Sequence, residues 1–308
     1  EIMPSLVGSE MCIRDRGVPE LAFKGNWTFL QMAFGYLIGR ALVAFFLVSS
    51  VRKSSTTSVY EYLGASGAWL TASIFILTRI LADGVRLFIT AVPLGFVTGL
   101  SLETSILVIL LITALYSIAG GIRGIVWLDS IQLIIYLVGA AASLLIVINS
   151  VEDFPGRLTE VFLAGKLKLI DTSFALDSYT LWAGLIGGAA FSFASHGADH
   201  LMAQRYLVVG SDREARKVVV GSGILVLLQF AFFLFLGTSL FCLWRQRSFQ
   251  PNTVYASFIA EKLPVGLRGL VLAGVLGAAM STLSSSVNAL AASTLTVSYT
   301  HLTLPTKA

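Results

Sequence analysis

The residues best suited to chemistry lie in one long stretch near the end of the chain, Gly266–Leu290, which carries no charge after Arg268. Its Ser281 and Thr282 hydroxyls lie about one helical turn beyond Ala278, so they can point to the same place as the Ala278 carbonyl. Sodium is a hard cation that prefers oxygen ligands of this kind. The spacing therefore makes Ala278, Ser281 and Thr282 candidate sodium ligands.

The same stretch is also suited to close helix packing. Four small residues recur at every fourth position and share one helical face: Ala273, Gly277, Ser281 and Ser285. Such a face lets a second helix approach closely, and serine or threonine in membrane helices often bonds back to a carbonyl one turn earlier. Taken alone, the stretch is explained by packing as well as by an ion site.

A second polar set lies in Leu181–His200, an otherwise apolar stretch that is interrupted by glycines. Its second half holds four polar side chains: Ser192, Ser195, His196 and Asp199. Polar spans broken by glycine are the best sequence indication of a transporter binding site, so these residues are candidates for binding a substrate. The alternative for His196 is an interior histidine whose hydrogen bonds are satisfied locally.

Charged residues occur inside two further apolar stretches. Arg79, Asp83 and Arg86 are four and three residues apart and share one helical face, which favours a structural ion pair. Asp129 lies just inside its stretch, where a carboxylate either stabilises a helix start or lines a cation path. Its position alone favours the helix start.

Composition places the chain in a lipid bilayer. The 308 residues are 56% hydrophobic and 12% charged, against about 25% charged in soluble domains. The net charge of +4 does not indicate nucleic acid, because the basic residues lie mostly in connecting segments, as membrane topology requires. Two cysteines and three histidines form no disulfide framework or metal cluster, and no nucleophile–base pair indicates an enzyme.

The apolar stretches predict seven transmembrane helices, and a tight turn at residues 120–123 separates the third from the fourth. The predicted spans are Trp27–Val51, Ala68–Thr98, Ile106–Ala119, Ile125–Ile148, Leu181–His200, Val218–Trp244 and Gly266–Leu290. Residues 149–180 form the longest polar connection and predict an extramembrane loop. Basic residues close to helix ends favour the side that carries Arg52 as cytoplasmic.

Both ends differ from the rest. Residues 1–16 and 297–308 resemble translated sequencing-adapter read-through, so we interpret both as foreign and exclude them from the fold. On this interpretation, residues 17–296 are an internal part of a longer protein.

Four segments, in their order and spacing, resemble the sodium:solute symporter family: Thr56–Gly64, Tyr116–Gln132, His196–Leu207 and Leu263–Leu290. The resemblance covers residues 17–296. It implies an all-α membrane protein with part of a core of ten helices, built as two inverted repeats of five. The seven spans then match core helices two to eight. Leu181–His200 corresponds to the discontinuous core helix six, and Gly266–Leu290 to core helix eight.

The resemblance also implies site residues. The family's sodium site uses a carbonyl and two hydroxyls of core helix eight, which fall on Ala278, Ser281 and Thr282. The other ligands are backbone oxygens of core helix one, for which this chain has no matching span. Asp129 matches an aspartate on the inner cation path.

The substrate set departs from the family pattern in two places. Asp199 and Gln204 match an Asp-Gln…Gln-Arg pattern in which His200 replaces the usual first Gln. Ser192 and Ser195 stand where sugar-carrying relatives have Asn and a gating Tyr, which argues against a sugar.

The function implied is sodium-coupled symport of a small organic solute across the cell membrane by alternating access. The alternative is a solute-sensing membrane domain fused to a sensor kinase.

Overall fold

The computed structural model describes residues 17–53, 64–174, 179–197, 199, 202–203, 206, 209–245, 247–249 and 253–302. Residues 1–16 and 303–308 lie outside this part, as do His200 and Gln204. Throughout the described ranges the chain is helical, without strands. The last helix continues to Leu302, beyond the predicted boundary at residue 296. The interpretation of both ends as foreign stays a prediction.

The helices follow the predicted spans, with two additions in the connections. They are α1 (Leu30–Leu42), α2 (Val48–Lys53), α3 (Gly64–Thr98), α4 (Leu102–Ser150), α5 (Phe154–Leu163), α6 (Gly188–Gly197), α7 (Asp212–Leu243), α8 (Val254–Lys262) and α9 (Val265–Leu302). One π-helical turn, Val43–Leu47, joins α1 to α2, and another, Ala183–Gly187, precedes α6. The added helices are α5, within the connection predicted as a loop, and α8.

The all-α membrane architecture is confirmed, but the count of seven spans is not. Among the described residues, four helical stretches are long and apolar enough to cross a membrane: Leu30–Arg52, Leu102–Ala119, Trp127–Ser150 and Asp212–Leu243. Helix α6 has only ten residues, and the apolar part of α9 is the short stretch Val265–Gly274. In both helices, glycine and hydroxyl residues shorten the continuous apolar stretch.

The predicted tight turn at residues 120–123 is wrong, because α4 runs through it as helix. The helix is nevertheless bent there. The Tyr116 hydroxyl donates to the Met280 carbonyl, while Asp129 accepts from Ser281, the next residue of α9. Thirteen residues of straight helix would separate Tyr116 from Asp129 by about 20 Å, more than these side chains span. The glycine pair at 120–121 lies between these two contacts, and α4 stays helical through it.

Two groups of helices result. Helices α3, α4 and α9 pack together, and the second half of α4 runs antiparallel to α9. Gly277 faces Gln132 and Gly274 faces Tyr136, so glycines bring these backbones close. Helix α1 packs on α6 and α7 as the second group. A large apolar cluster, including Tyr136 of α4 and Phe233 of α7, joins the groups on the side opposite Arg52.

The connection between α4 and α6 is held by partly buried polar contacts to α1 and to the residues before it. The Gln31 amide donates to the Tyr179 carbonyl at 2.9 Å, and its oxygen accepts from the Asp171 backbone N–H at 3.2 Å. The Lys166 ammonium donates to the Phe23 carbonyl at 2.7 Å, and desolvation lowers the pKa of Lys166. These contacts fix the chain where it enters the segment before α6.

Replacing Gly39 with alanine should destabilise the α1–α6 pair. An added Cβ would lie 2.8 Å from the Ser192 Cβ and would also overlap the Ala189 carbonyl oxygen. Because backbone cannot yield as a flexible side chain does, we expect Gly39→Ala to cost about 1–3 kcal/mol of unfolding free energy, measured in detergent. The control is Gly84→Ala in α3, where an added Cβ meets nothing within 4 Å. Equal losses in both variants would contradict this packing.

Candidate cation site

The candidate cation site is built on the buried face of α9. Five hydroxyl residues within two turns of this helix are buried: Ser281, Thr282, Ser284, Ser285 and Ser286. Ala278 lies in the preceding turn of the same helix, so its carbonyl points along the axis toward the Ser281 and Thr282 side chains. Oxygen atoms are therefore concentrated at a depth where a polar group must find a polar partner.

Asp129 completes this group of oxygens from the neighbouring helix. The Ser281 hydroxyl donates to the Asp129 carboxylate, and each residue is only 1% exposed. The preference for a helix-start role is wrong, because Asp129 lies deep within α4 and far from its first residue, Leu102. A buried carboxylate beside hydroxyls is an oxygen-only donor set, which suits a hard cation such as sodium.

Sequence reasoning missed three residues around this site. The Tyr116 hydroxyl holds the Met280 carbonyl at 2.8 Å, and Ser284 donates to the Ser281 carbonyl at 2.9 Å. Ser286 accepts from the Arg79 guanidinium at 2.5 Å. The run of serines in α9 could have indicated that Ser284 and Ser286 lie close to the site. Tyr116 comes close only through the bend of α4, which the sequence does not reveal.

The predicted pair of Arg79 and Asp83 is confirmed. The Arg79 Nε lies 3.2 Å from the Asp83 carboxylate, and both side chains are buried. The same guanidinium lies 3.7 Å from the carboxylate of Asp199, which follows α6. The Arg86 side chain lies outside the described residues.

The other three candidate substrate residues lie together on α6. His196 Nδ1 is 3.1 Å from the Ser195 hydroxyl and 3.2 Å from the Ser192 carbonyl, and the Tyr206 hydroxyl donates to the His196 carbonyl at 3.2 Å. Ser192 and His196 are buried, and Ser192 faces Gly39 of α1. These contacts fit an interior histidine as well as one that binds a solute, so both alternatives stay open. Asp199, two residues beyond α6, contacts Arg79.

The packed helices and the buried oxygen site define an integral membrane protein of the transporter type. The family model of the sodium:solute symporter family matches residues 5–304, and the chain belongs to this family. As expected from the resemblance, this is a family of transporters and not of enzymes.

Several known proteins are similar to the chain. It is 28% identical to the sodium/sialic acid symporter SiaT of Proteus mirabilis, over 89% of this chain and 58% of the relative. It is also 28% identical to the human sodium/iodide cotransporter, over 90% of this chain and 45% of the relative. The chain thus spans about half the length of these curated relatives.

A solved structure matches over the whole chain. It is the substrate-bound, outward-open state of a Na⁺-coupled sialic acid symporter, described as revealing a novel Na⁺ site. The TM-score is 0.89 at 25% identity, covering 100% of this chain and 68% of the other. This match supports the helical transporter fold expected from the sequence.

The Arg79–Asp83 pair should show strong energetic coupling. Removing one partner leaves a buried charge, so Arg79→Met and Asp83→Leu should each cost about 3 kcal/mol of unfolding free energy in the complete protein. The double variant should lose less than the sum of both by at least about 1 kcal/mol. The control cycle uses Arg245 and Glu160, an exposed pair at 2.7 Å whose coupling should be much smaller. Additive losses at Arg79 and Asp83 would refute the pairing.

Proposed function

We propose that the protein to which this chain belongs carries sodium and a small organic solute together across the cell membrane. The observation that carries this proposal is the buried contact between Ser281 of α9 and Asp129 of α4. Membership of the sodium:solute symporter family and similarity to sodium-coupled transporters support it.

In this proposal sodium binds at the turn formed by Ala278, Ser281 and Thr282. The two hydroxyls and the Ala278 carbonyl supply neutral oxygens, and backbone oxygens of core helix one complete the site. Asp129 adds an anionic oxygen next to Ser281, so a cation leaving the first site meets a carboxylate on its path. Every proposed ligand on this path is an oxygen atom, which is the ligand type that sodium prefers.

The solute is proposed to bind along α6, with Ser192, Ser195, His196 and Asp199 as the polar residues of its site. The π-helical turn Ala183–Gly187, which runs directly into α6, supports this placement, because π-helical turns are frequent at functional sites. The named cargoes of the relatives include sialic acid and monocarboxylates. We therefore propose a small organic acid as the solute class.

Coupling follows from the division of the helices into two groups. Sodium contacts α9 in one group, whereas the solute contacts α6 in the other. If both ligands favour the same arrangement of the groups, the binding of one strengthens the binding of the other. Alternation between two arrangements then exposes both ligands first to one side of the membrane and then to the other.

Removing a hydroxyl ligand should weaken sodium activation of uptake. In proteoliposomes that contain the complete protein, Ser281→Ala and Thr282→Ala should each raise the sodium concentration for half-maximal uptake of a labelled organic acid by about tenfold. A polar contact to a charged group contributes roughly 1.5–3 kcal/mol to the binding free energy, and about 1.4 kcal/mol corresponds to a tenfold change in affinity. Lactate is the first probe, and sialic acid, an acidic sugar, tests the expectation that the serines of α6 argue against a sugar.

The matched control is Ser239→Ala in α7, a buried serine whose hydroxyl donates within its own helix to the Phe235 carbonyl. It should leave sodium activation unchanged. Unaltered sodium activation in both site variants would rule out the proposed sodium site.

A further inference from the structure

One buried arginine contacts both helix groups. The Arg79 guanidinium on α3 reaches Asp83 of its own helix, Ser286 of α9 and Asp199 after α6. Of these three partners, only Asp199 belongs to the group of helices that is proposed to carry the solute. Arg79 thereby links α9, the helix of the proposed sodium site, to the end of α6, the helix of the proposed solute site.

We propose that Arg79 is a positioning residue that closes the Arg52 side of the solute pathway by holding Asp199. The proposal rests on the sodium-coupled function proposed above. It assigns Asp199 a role in closure, in addition to any contact with the solute.

An apolar contact next to this ion pair joins the same elements. Met202 packs with Phe75, one turn before Arg79 on α3, and with Ala289, about one turn after Ser286 on α9. The backbone N–H groups of Met202 and Ala203 donate to the Asp199 carbonyl at 3.2 and 3.0 Å. These backbone bonds tie Met202 to Asp199, so we expect their two contacts to form and break together.

The ion pair is built so that it can open. When Asp199 withdraws, the Asp83 carboxylate at 3.2 Å still neutralises the guanidinium. Because a buried charge without a partner is costly, this second carboxylate keeps the cost of opening low. The longer contact of 3.7 Å, to a partly exposed Asp199, is the weaker of the two ion pairs.

Sodium would act on this contact through α9. Ser281 and Ser286 lie on the same helix, and the Ser286 hydroxyl accepts from Arg79 at 2.5 Å. A cation that fixes the Ser281 turn also fixes Ser286 and, with it, the direction in which the guanidinium points. Bound sodium should therefore favour the closed contact with Asp199.

The test measures how fast a cysteine placed at residue 202 is modified. Met202→Cys in the complete protein is treated with a membrane-impermeant maleimide from the side that carries Arg52, in sodium and in potassium. We expect sodium to slow the modification. Adding Asp199→Asn should speed it by about fivefold in either cation, the effect of losing a partly exposed ion pair. Adding Asp83→Asn should not speed the modification, because Asp199 is then the only one of the two carboxylates left to pair with Arg79.

Native Cys242 serves as an internal control for folding when the same protein is treated in detergent, where the reagent reaches both ends of the helices. It is buried at the far end of α7 and stays unreactive while the fold is intact. Equal rates with and without Asp199→Asn, in a protein with unreactive Cys242, would overturn the closure role of Arg79. A rate that is the same in sodium and potassium for Met202→Cys alone would overturn the link between bound sodium and this contact, whereas the proposed function fails separately, if Ser281→Ala and Thr282→Ala leave sodium activation of uptake unaltered. Faster modification with Asp83→Asn than with Asp199→Asn would also overturn the proposal.

Discussion

The structure depends on a buried carboxylate and several buried hydroxyls, which must form their hydrogen bonds within the protein. Asp129 and Ser281 satisfy each other across the α4–α9 interface, and both are almost fully buried. The contact is possible because glycines at positions 274 and 277 bring the two backbones close together. Apolar side chains at these positions would hold the helices apart and leave the carboxylate without this donor. The same close approach places the Asp129 carboxylate beside the hydroxyls of α9.

The remaining helices divide around this interface. The bend of α4 lets both of its halves contact neighbouring residues of α9, through Tyr116 and Asp129. Helices α1, α6 and α7 form their own group through a second glycine contact, in which Gly39 meets Ser192. The helices of each group pack mainly on one another, and a large apolar cluster also joins the two groups. That division is what an alternating-access transporter requires.

The spacing of residues in the sequence predicted the features that lie within a single helix, such as a shared face or an ion pair. The four-residue spacing of Ala273, Gly277, Ser281 and Ser285 predicted one small face on α9. Gly277, Ser281 and Ser285 are buried, whereas Ala273 is exposed. The spacing of Arg79 and Asp83 predicted their ion pair in the same way. The roles of Ala278, Ser281 and Thr282 as sodium ligands and of the α6 residues in solute binding stay predictions.

Contacts between distant segments were beyond the reach of such patterns. Ser281 and Asp129 are 152 residues apart, and nothing local shows that they meet. The glycine pair at 120–121 is compatible with a turn or with a bent helix, and only the packing of α4 against α9 decides between them. Because the pair was interpreted as a turn, Asp129 was placed at a helix start. The Arg79–Asp199 contact likewise depends on where the chain after α6 crosses α3.

The most direct test is equilibrium binding of radioactive sodium to the purified complete protein in the absence of solute. We expect saturable binding that is weakened by at least about tenfold in Asp129→Asn, because the carboxylate beside Ser281 no longer attracts the cation to α9. Asp171→Asn on the connection after α5 should bind sodium like the unaltered protein. Unchanged sodium affinity in a folded Asp129→Asn protein would contradict a cation site on α9 that is supported by the Asp129 carboxylate.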